Sequence, residues 1–372
     1  MINPEIKQLF FKLVQIPSPS GKELMVAKFI KNYLSNLGIN STFDKSGLIN
    51  SSDSGNLIAK IKGINCNQTI LFVAHMDTVE TGLSVIKPIL KGDKIYSNGS
   101  TILGADNKGS ITALLLALKE ISKLKTRPTI FIVFSTREEQ GQMGISLIKL
   151  NQNIDFAFNL DGAGKQGSFA YKTLGYLPFD LEIIGKQVHS AHEPEKGINA
   201  LKVSSEIITK LPIGKNKQGH VLNIGLIEGG TGINVVPGQV LLKGELRAYS
   251  EAEIKQNLLK LEQIVKKICQ KYGAKYKLTA KPLEGTPPMN VSKNHPIVQI
   301  AKKSSESLSL KFNLFAGTFT CEANYLASMG YSVLNVCRGG LMPHSKEESI
   351  TLKELEQLKN LILKLIEASI ML

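Results

Sequence analysis

The sequence predicts an α/β protein with a mostly parallel central sheet, helices on both of its faces and a smaller domain inserted into the chain. The apolar segments 70–73, 128–135 and 154–160 lack the alternation of half-exposed strands, which is typical of parallel strands covered on both faces. Between 177 and 283 the pattern changes to strand, helix, two strands, helix and strand. That βαββαβ order is typical of a ferredoxin-like domain.

The chain is long enough for two domains. At 372 residues it exceeds the ~250 to 300 residues at which one hydrophobic core stops growing. Glycines 175 and 285 bound the insert, so we assign residues 1–175 and 286–372 to the main domain and 176–285 to the inserted one. The last segment, with the strand SVLNVC and a helix from Thr351, is too small to fold alone. We expect it to complete the main sheet.

Local signals place the other elements in chain order. An apolar stripe from Leu9 to Val14 predicts the first helix, and Ser20 with Glu23 predicts a capping box for a second helix that ends at Gly38. The main domain is further predicted to contain strands at 41–44 and 56–62, a hairpin through 94–99, and helices at 106–124, 296–308 and 322–329. The insert is predicted to contain strands at 177–186, 220–227, 240–249 and 275–283, and helices at 197–211 and 250–273.

The composition argues against several classes of partner. The formal charge of +14 raises the question of nucleic acid or anionic membranes. The lysines are spread singly over predicted helix faces, so we expect neither partner. No apolar run approaches the ~18 residues of a membrane-spanning helix. The four cysteines lack CxxC spacing, and no basic segment followed by an apolar one opens the chain, so we expect a cytoplasmic protein with free thiols.

Polar side chains recur where the predicted strands end, and the carboxyl ends of parallel strands gather ligands at one edge of a sheet. His75 and Asp77 point to the same side, which suits a histidine ligand oriented by a carboxylate, although a strand-end histidine beside a turn-forming aspartate has the same pattern. So many carboxylates would repel one another unless divalent cations neutralised them, and imidazole with carboxylate suits zinc, manganese or cobalt. The collected residues are His75, Asp77, Asp106, Glu138, Glu139, Asp161 and His344.

The motifs also resemble a known family. HMDTV, GADNKGS, TREEQG, NLDG, GKQVHSAHEPEKGINA, GGTGINVVPG, ELR and PHSKEE occur in the order and spacing of the co-catalytic zinc exopeptidases, which include dipeptidases, aminoacylases and peptidase T. The TILGAD wording and the chain length are most similar to the peptidase T-like branch. The resemblance covers nearly the whole chain and implies a zinc-exopeptidase-like catalytic domain, with the insert as a lid and dimerisation domain.

The resemblance implies two divalent metal ions per chain, with zinc as the expected metal. The resemblance implies that Asp106 bridges both ions, that Asp77 orients His75, and that Glu138 acts as the proton-transferring base. The remaining metal ligands it implies are His75 and Asp161 for one ion, and Glu139 and His344 for the other.

The resemblance also implies substrate-binding residues in the insert. His189 is similar to a residue that stabilises the oxyanion, often across a dimer, while Asn234 and Arg247 are similar to substrate-binding positions. Two alternatives stay open: Asn234 could cap a turn before VVPG, and Arg247 could pair with Glu245 or with a helix acid. We expect His192 to have no role.

The sequence departs from the family pattern at two positions. Asn107 follows Asp106 where relatives usually carry a second acid, which leaves the bridging ligand in place. Glu322 stands where a shorter aspartate is usual, and this puts the shape of the pocket in doubt.

The function that follows is a two-metal aminopeptidase that cleaves the N-terminal bond of short peptides, tripeptides in particular, and that forms a homodimer through the insert. An amidohydrolase or dipeptidase of the same design, acting on N-acyl amino acids or dipeptides, is the first alternative. An inactive peptide-binding scaffold is the second, and the presence of Glu138 together with all five ligands argues against it.

Overall fold

The computed structural model describes residues 4–79, 84–121, 123–150 and 152–370. These residues form two compact units. The first unit runs up to Tyr171 and continues through Val291–Ala316 and from Cys321 onward, while the second consists of Lys172–Asn290 and Gly317–Thr320. The predicted insert, 176–285, lies within the second unit. Among the described helices, none combines the length and apolar character needed to cross a bilayer.

The helices lie close to the predicted positions, except for the short α3 (Gly47–Asn50), which was not predicted. They are α1 Pro4–Val14, α2 Leu24–Asn36, α3 Gly47–Asn50, α4 Ala105–Ile121, α5 Ala200–Lys210, α6 Glu251–Tyr272, α7 Pro296–Ser307, α8 Glu322–Ser328 and α9 Leu352–Ser369. Helix α4 ends earlier than predicted. Its first residues, Asp106 and Asn107, do not have helical backbone angles, so the side chain of Asp106 is presented by an irregular segment and not by a regular turn.

The strands are more numerous than the sequence indicated. They are β1 Ser41–Phe43, β2 Leu57–Ile61, β3 Thr69–His75, β4 Pro88–Lys91, β5 Lys94–Ser97, β6 Thr129–Ser135, β7 Phe156–Gly162, β8 Ser168–Thr173, β9 Gly175–Ile184, β10 Val188–His189, β11 Gly214–Lys215, β12 Val221–Gly229, β13 Val235–Val236, β14 Gln239–Ala248, β15 Lys275–Ala280, β16 Met289–Asn290, β17 Asn313–Gly317, β18 Val333–Cys337 and β19 Ser349–Thr351. The short strands β8 and β17 were not predicted.

The first unit is built on a sheet in the order β1-β2-β6-β3-β7-β18-β8, in which the central strands are parallel and the outer pairings are antiparallel. Strand β3 pairs in parallel with β6 and β7, and β18 pairs in parallel with β7, so all four strands end at one edge. Every residue of β3 after Thr69 is buried, as expected for a strand covered on both faces. The position of β18 between β7 and β8 confirms that the last segment completes this sheet.

The second unit has its own core. Its antiparallel sheet runs β11-β12-β14-β9-β15, and helices α5 and α6 pack against it. Phe179, Leu181, Val203, Leu242 and Val265 belong to a hydrophobic cluster that is separate from that of the first unit. The predicted fold class, a mostly parallel α/β sheet with an inserted ferredoxin-like domain, is confirmed.

The capping box predicted at Ser20 and Glu23 is wrong. The hydroxyl of Ser20 donates to Asp77 Oδ2 at 2.6 Å, and the carboxylate of Glu23 accepts from the backbone N–H of Gly21 and from the hydroxyl of Ser52. Both side chains thus bind partners other than the first turn of α2. The capping box does not form because the carboxylates of Asp77 and Glu23 are buried and need hydrogen-bond donors. Ser20, Ser52 and the backbone of Gly21 provide those donors.

Candidate active site

His75 lies at the end of β3 with its ring fixed on both sides. The side chain is 1% exposed. Its Nδ1 lies 3.0 Å from the backbone oxygen of Asp77 and 3.4 Å from Asp77 Oδ1. Its Nε2 lies 3.2 Å from Asp106 Oδ1 and 3.4 Å from Asp161 Oδ1. The backbone carbonyl of Asp77 is therefore the nearer partner of Nδ1, and Nε2 faces two carboxylates.

Asp106 stands between two groups of potential metal-binding side chains. Its Oδ1 faces His75, while its Oδ2 lies 3.5 Å from His344 Nε2. His344 Nε2 is also 3.0 Å from a carboxylate oxygen of Glu139. The structure thus brings all five predicted ligands together, and ligand atoms within 4.8 Å of one another form the groups His75, Asp106 and Asp161; Asp106, Glu139 and His344; and His75, Glu138 and Glu139.

The turn after β6 carries Glu138 and Glu139, and Asp77 holds it. Asp77 Oδ1 accepts a hydrogen bond from the backbone N–H of Glu138 at 3.0 Å, and Oδ2 accepts from that of Glu139 at 3.2 Å. These bonds are shorter than the 3.4 Å contact between Asp77 Oδ1 and His75. Asp77 therefore orients the two glutamates as directly as it orients the histidine.

Glu138 is buried, and the side-chain amide of Gln142 donates from Nε2 to its Oε1 at 3.1 Å. Burial, and secondly the charge of Asp161, raise the pKa of Glu138 well above its ordinary value. A carboxylate whose proton affinity is raised in this way has the property required of a general base near neutral pH.

The pKa shifts in the cluster show that its carboxylates favour positive charge nearby. Burial and the neighbouring Asp106 raise the pKa of Asp161 to about 6. Hydrogen bonds with Asp106 and Glu139 raise the pKa of His344 to about 10. Burial lowers the pKa of His75, but its carboxylate partners outweigh burial and raise the pKa well above 6.5. Asp161 and the two imidazoles thus hold protons more tightly than they would in water. A donor set of imidazoles and carboxylates fits divalent cations, which displace such protons.

Three buried charged residues beside the cluster were not found from the sequence. Arg338 Nη2 lies 2.7 Å from Asp106 Oδ2, and Glu348 accepts hydrogen bonds from the backbone N–H groups of Leu103, Gly104 and Asp106. Lys108 donates to the backbone oxygen of residue 16 at 2.6 Å, and burial lowers its pKa to about 7. Lys108 and Glu348 lie within quoted motifs and Arg338 lies in none. Nothing in a linear pattern shows that a charge is buried.

Glu322, noted above as a departure, is fully buried at the start of α8. Neither carboxylate oxygen forms a hydrogen bond within the described residues, and the nearby hydroxyl of Ser135 is likewise without one. Burial raises the pKa of Glu322 to about 8.

The predicted substrate-binding residues lie in the second unit. His189 and Asn234 are exposed and close to each other, because β10 pairs with β13 and Ser190 N donates to the backbone oxygen of Asn234. The ring of His192, expected to have no role, lies 4.4 Å from that of His189 between centroids.

Arg247 is placed differently from the other two. It pairs with Glu245 through contacts of 3.0 and 3.2 Å and lies over the ring of Tyr176. This is the ion pair that the sequence left open as an alternative for Arg247.

Two family models match the chain. Residues 171–273 match the peptidase dimerisation domain, and residues 56–205 match peptidase family M28. The first match covers most of the second structural unit and the second covers much of the sheet that carries the site.

Relatives match over the whole chain. The uncharacterized protein YqjE of Bacillus subtilis is 29% identical, covering 99% of each chain, and peptidase T of Fusobacterium nucleatum is 27% identical over 95% of this chain and 92% of its own. Among solved structures, aminopeptidase PepT from Bacillus cereus has a TM-score of 0.93 at 26% identity over 99% of each chain. A tripeptidase from Staphylococcus aureus has a TM-score of 0.89 at 26% identity, covering 99% of this chain and 98% of its own. These matches bear out the resemblance to the co-catalytic zinc exopeptidases and to their peptidase T-like branch, and they support a metallopeptidase.

Proposed function

We propose that the protein is a two-metal aminopeptidase that releases the N-terminal residue of short peptides, tripeptides in particular. The observation that carries the proposal is the carboxylate of Asp106, whose two oxygens face separate histidines, with Glu138 beside both groups. His75, Asp106 and Asp161 would hold one ion, and Asp106, Glu139 and His344 the other. Zinc is the proposed metal, with manganese or cobalt as alternatives. The peptidase T and tripeptidase relatives support the choice of substrate.

Two bound ions would lower the pKa of water and stabilise the charge that develops on the scissile carbonyl. The residues of the chain supply the rest of the chemistry. Glu138 takes a proton from the attacking water and passes it to the leaving nitrogen. The hydrogen bond from Gln142 and the two hydrogen bonds that Asp77 accepts from the turn fix the position of the carboxylate that is proposed to accept the proton.

The second unit is proposed to supply the residues that bind the substrate. His189 is proposed to stabilise the oxyanion, and Asn234, its neighbour in the structure, to bind substrate. Arg247 is proposed to hold the terminal carboxylate of a peptide, although its pairing with Glu245 favours the alternative of a structural ion pair. The match to a dimerisation domain supports a homodimer through this unit. The four free cysteines agree with the cytoplasm as the compartment.

The function is tested by two site variants with a surface control and by one substrate panel. Glu138→Gln is expected to lower kcat by about a hundredfold to ten-thousandfold, the range typical of a general base, because it removes the proton acceptor. Its metal content, measured by plasma mass spectrometry, should stay at that of the wild type. Asp106→Ala should lose metal and activity together, while Glu367→Gln, a surface acid paired with Lys364, should change neither.

The panel compares free tripeptides, dipeptides and N-acetyl amino acids with the zinc-loaded protein. We expect the tripeptides to have the highest kcat/KM. Preference for N-acetyl amino acids would replace the aminopeptidase with the amidohydrolase alternative. Loss of zinc from Glu138→Gln would show that this residue is a ligand and not the base.

A further inference from the structure

Arg338 places a fixed positive charge inside the proposed metal centre. It follows β18, is 2% exposed, and donates from Nη2 to Asp106 Oδ2 at 2.7 Å. The residue is held from several directions. Its backbone N–H donates to the oxygen of Gly162, its backbone oxygen accepts from Gln166 Nε2, and its Nη1 donates to the oxygen of Gly339.

The backbone beside the guanidinium is shaped to admit it. Gly340 has a φ of +80°, and a Cβ at this position would lie 3.2 Å from Arg338 Nη1. A glycine here both adopts the left-handed backbone and leaves the space that the guanidinium fills. Because an arginine in a protein does not lose its proton, the charge is permanent.

The position of Arg338 makes the two halves of the centre unequal. Each proposed ion would be held by one imidazole and two carboxylates, with Asp106 shared, so the donor sets have the same composition. Oδ1 of Asp106 faces His75, whereas Oδ2 faces both His344 and the guanidinium. The guanidinium therefore competes for the oxygen that serves the second set.

The two proposed histidine ligands also differ in their exposure to solvent. The side chain of His344 is 52% exposed and that of His75 is 1% exposed. The imidazole proposed to hold the second ion is thus far more accessible to solvent than the imidazole proposed to hold the first.

We infer that Arg338 selectively weakens the binding of the ion held by Asp106 Oδ2, Glu139 and His344, so that this ion exchanges while the ion at His75 and Asp161 is retained. Two like charges that share one carboxylate oxygen repel each other, and the oxygen has fewer electron pairs to offer the metal. The inference rests on the two-metal centre proposed above.

The test measures zinc binding by equilibrium dialysis with metal analysis, independently of activity. Wild-type protein should bind zinc in two steps whose dissociation constants differ by about tenfold or more, which is ~1.4 kcal/mol. His344→Ala should remove the weaker step alone. Arg338→Met should tighten the weaker step by about tenfold or more, whereas Arg338→Lys, which keeps the charge, should leave it weak.

Arg127→Met is the matched control. Arg127 immediately precedes Pro128 and β6, at the end of that strand opposite the site, and donates to the backbone oxygen of Lys62, so its loss should leave both steps unchanged. Thermal unfolding of each variant verifies that it is folded. If Arg338→Met does not fold, Arg338→Gln, which also removes the charge, takes its place in the same measurement.

Three results would overturn the inference: equal affinities in the wild type, loss of the tighter step in His344→Ala, or a folded Arg338→Met whose weak step is unchanged or looser. Each leaves the proposed function standing. A wild type that binds fewer than two ions at saturating zinc contradicts the two-metal centre itself. The two failures are therefore distinguishable.

Discussion

At the scale of one residue, Glu322 is longer by one methylene than the aspartate that is usual at its position in the family that the sequence resembles. The longer side chain ends in a buried place where, within the described residues, neither carboxylate oxygen forms a hydrogen bond, although the hydroxyl of Ser135 lies nearby. Burial is the main cause that raises its pKa from 4.5 to about 8, and the charges of Asp161 and Asp77 act in the same direction. At neutral pH the folded metal-free protein therefore holds a proton on Glu322.

The sign of the resulting pH dependence follows from linkage. Between about pH 4.5 and 8 the folded state binds this proton and the unfolded state does not, so stability due to Glu322 falls as the pH rises through that window. Glu322→Gln carries no charge at any pH. We expect it to raise the Tm of the metal-free protein at pH 8.5 relative to wild type, with a much smaller difference at pH 5.

Calorimetry in the presence of a chelator at both pH values checks this prediction. Glu306→Gln, which removes an exposed acid from α7, is the control and should not change the pH dependence. An equal Tm gain at pH 5 and pH 8.5 would show that the glutamine acts through packing and not through charge.

At the scale of elements, the segment that leads into α4 depends on a carboxylate from the far end of the chain. Glu348 Oε2 accepts from the backbone N–H groups of Leu103 and Gly104 at 2.9 and 2.7 Å, and Oε1 accepts from that of Asp106 at 2.9 Å. Residues 103–106 form no regular turn, so this carboxylate takes the place of the hydrogen bonds that a helix would supply. Glu348 therefore positions Asp106 through its backbone.

We expect Glu348→Gln to destabilise the metal-free protein by about 1.5 to 3 kcal/mol, because the amide replaces one charged acceptor with a donor that faces an N–H group. Urea unfolding with Glu347→Gln, the exposed neighbour, as control measures the effect. Zinc affinity should fall in the same variant. Unfolding midpoints that match in the two variants would mean that the segment keeps its shape without Glu348.

At the scale of the whole molecule, the second unit leaves a strand edge open. Strand β11 pairs with Val221 and Leu222 of β12. Beyond them in β12, Leu226 and Ile227 are 56% and 51% exposed in the described part of the chain. An apolar, uncovered strand edge is a surface for pairing with another chain. Together with the match to a dimerisation domain, it supports the proposed homodimer.

A mixing experiment tests whether the dimer shares its sites. Glu138→Gln and His189→Ala chains should each be inactive alone, and if His189 acts across the interface their mixture should regain about a quarter of wild-type activity after random exchange in a two-fold dimer. Adding Ile227→Lys to both chains should abolish the recovery, because a charge on the strand edge opposes pairing. A monomer by light scattering, or no recovery on mixing, would contradict the prediction.

The sequence by itself determined the elements and the chemistry of the strand ends. Continuous apolar runs predicted β3, β6 and β7, and the polar residues that follow them, His75, Glu139 and Asp161, lie together because parallel strands end at one edge. The βαββαβ pattern likewise predicted the second unit, since hydrophobic periodicity is a local property of the chain.

Only the tertiary structure decided which charges meet in the interior. Glu348 and Gly104 are separated by 244 residues, and Ser20 and Asp77 by 57, yet both pairs are hydrogen-bonded. The capping box at Ser20 failed for this reason, and Arg338 at the proposed bridging carboxylate left no trace in any motif. A buried charge is stable only when it has a hydrogen-bonding or charged partner. The packing of distant segments determines which residue that partner is, and no local sequence pattern shows it.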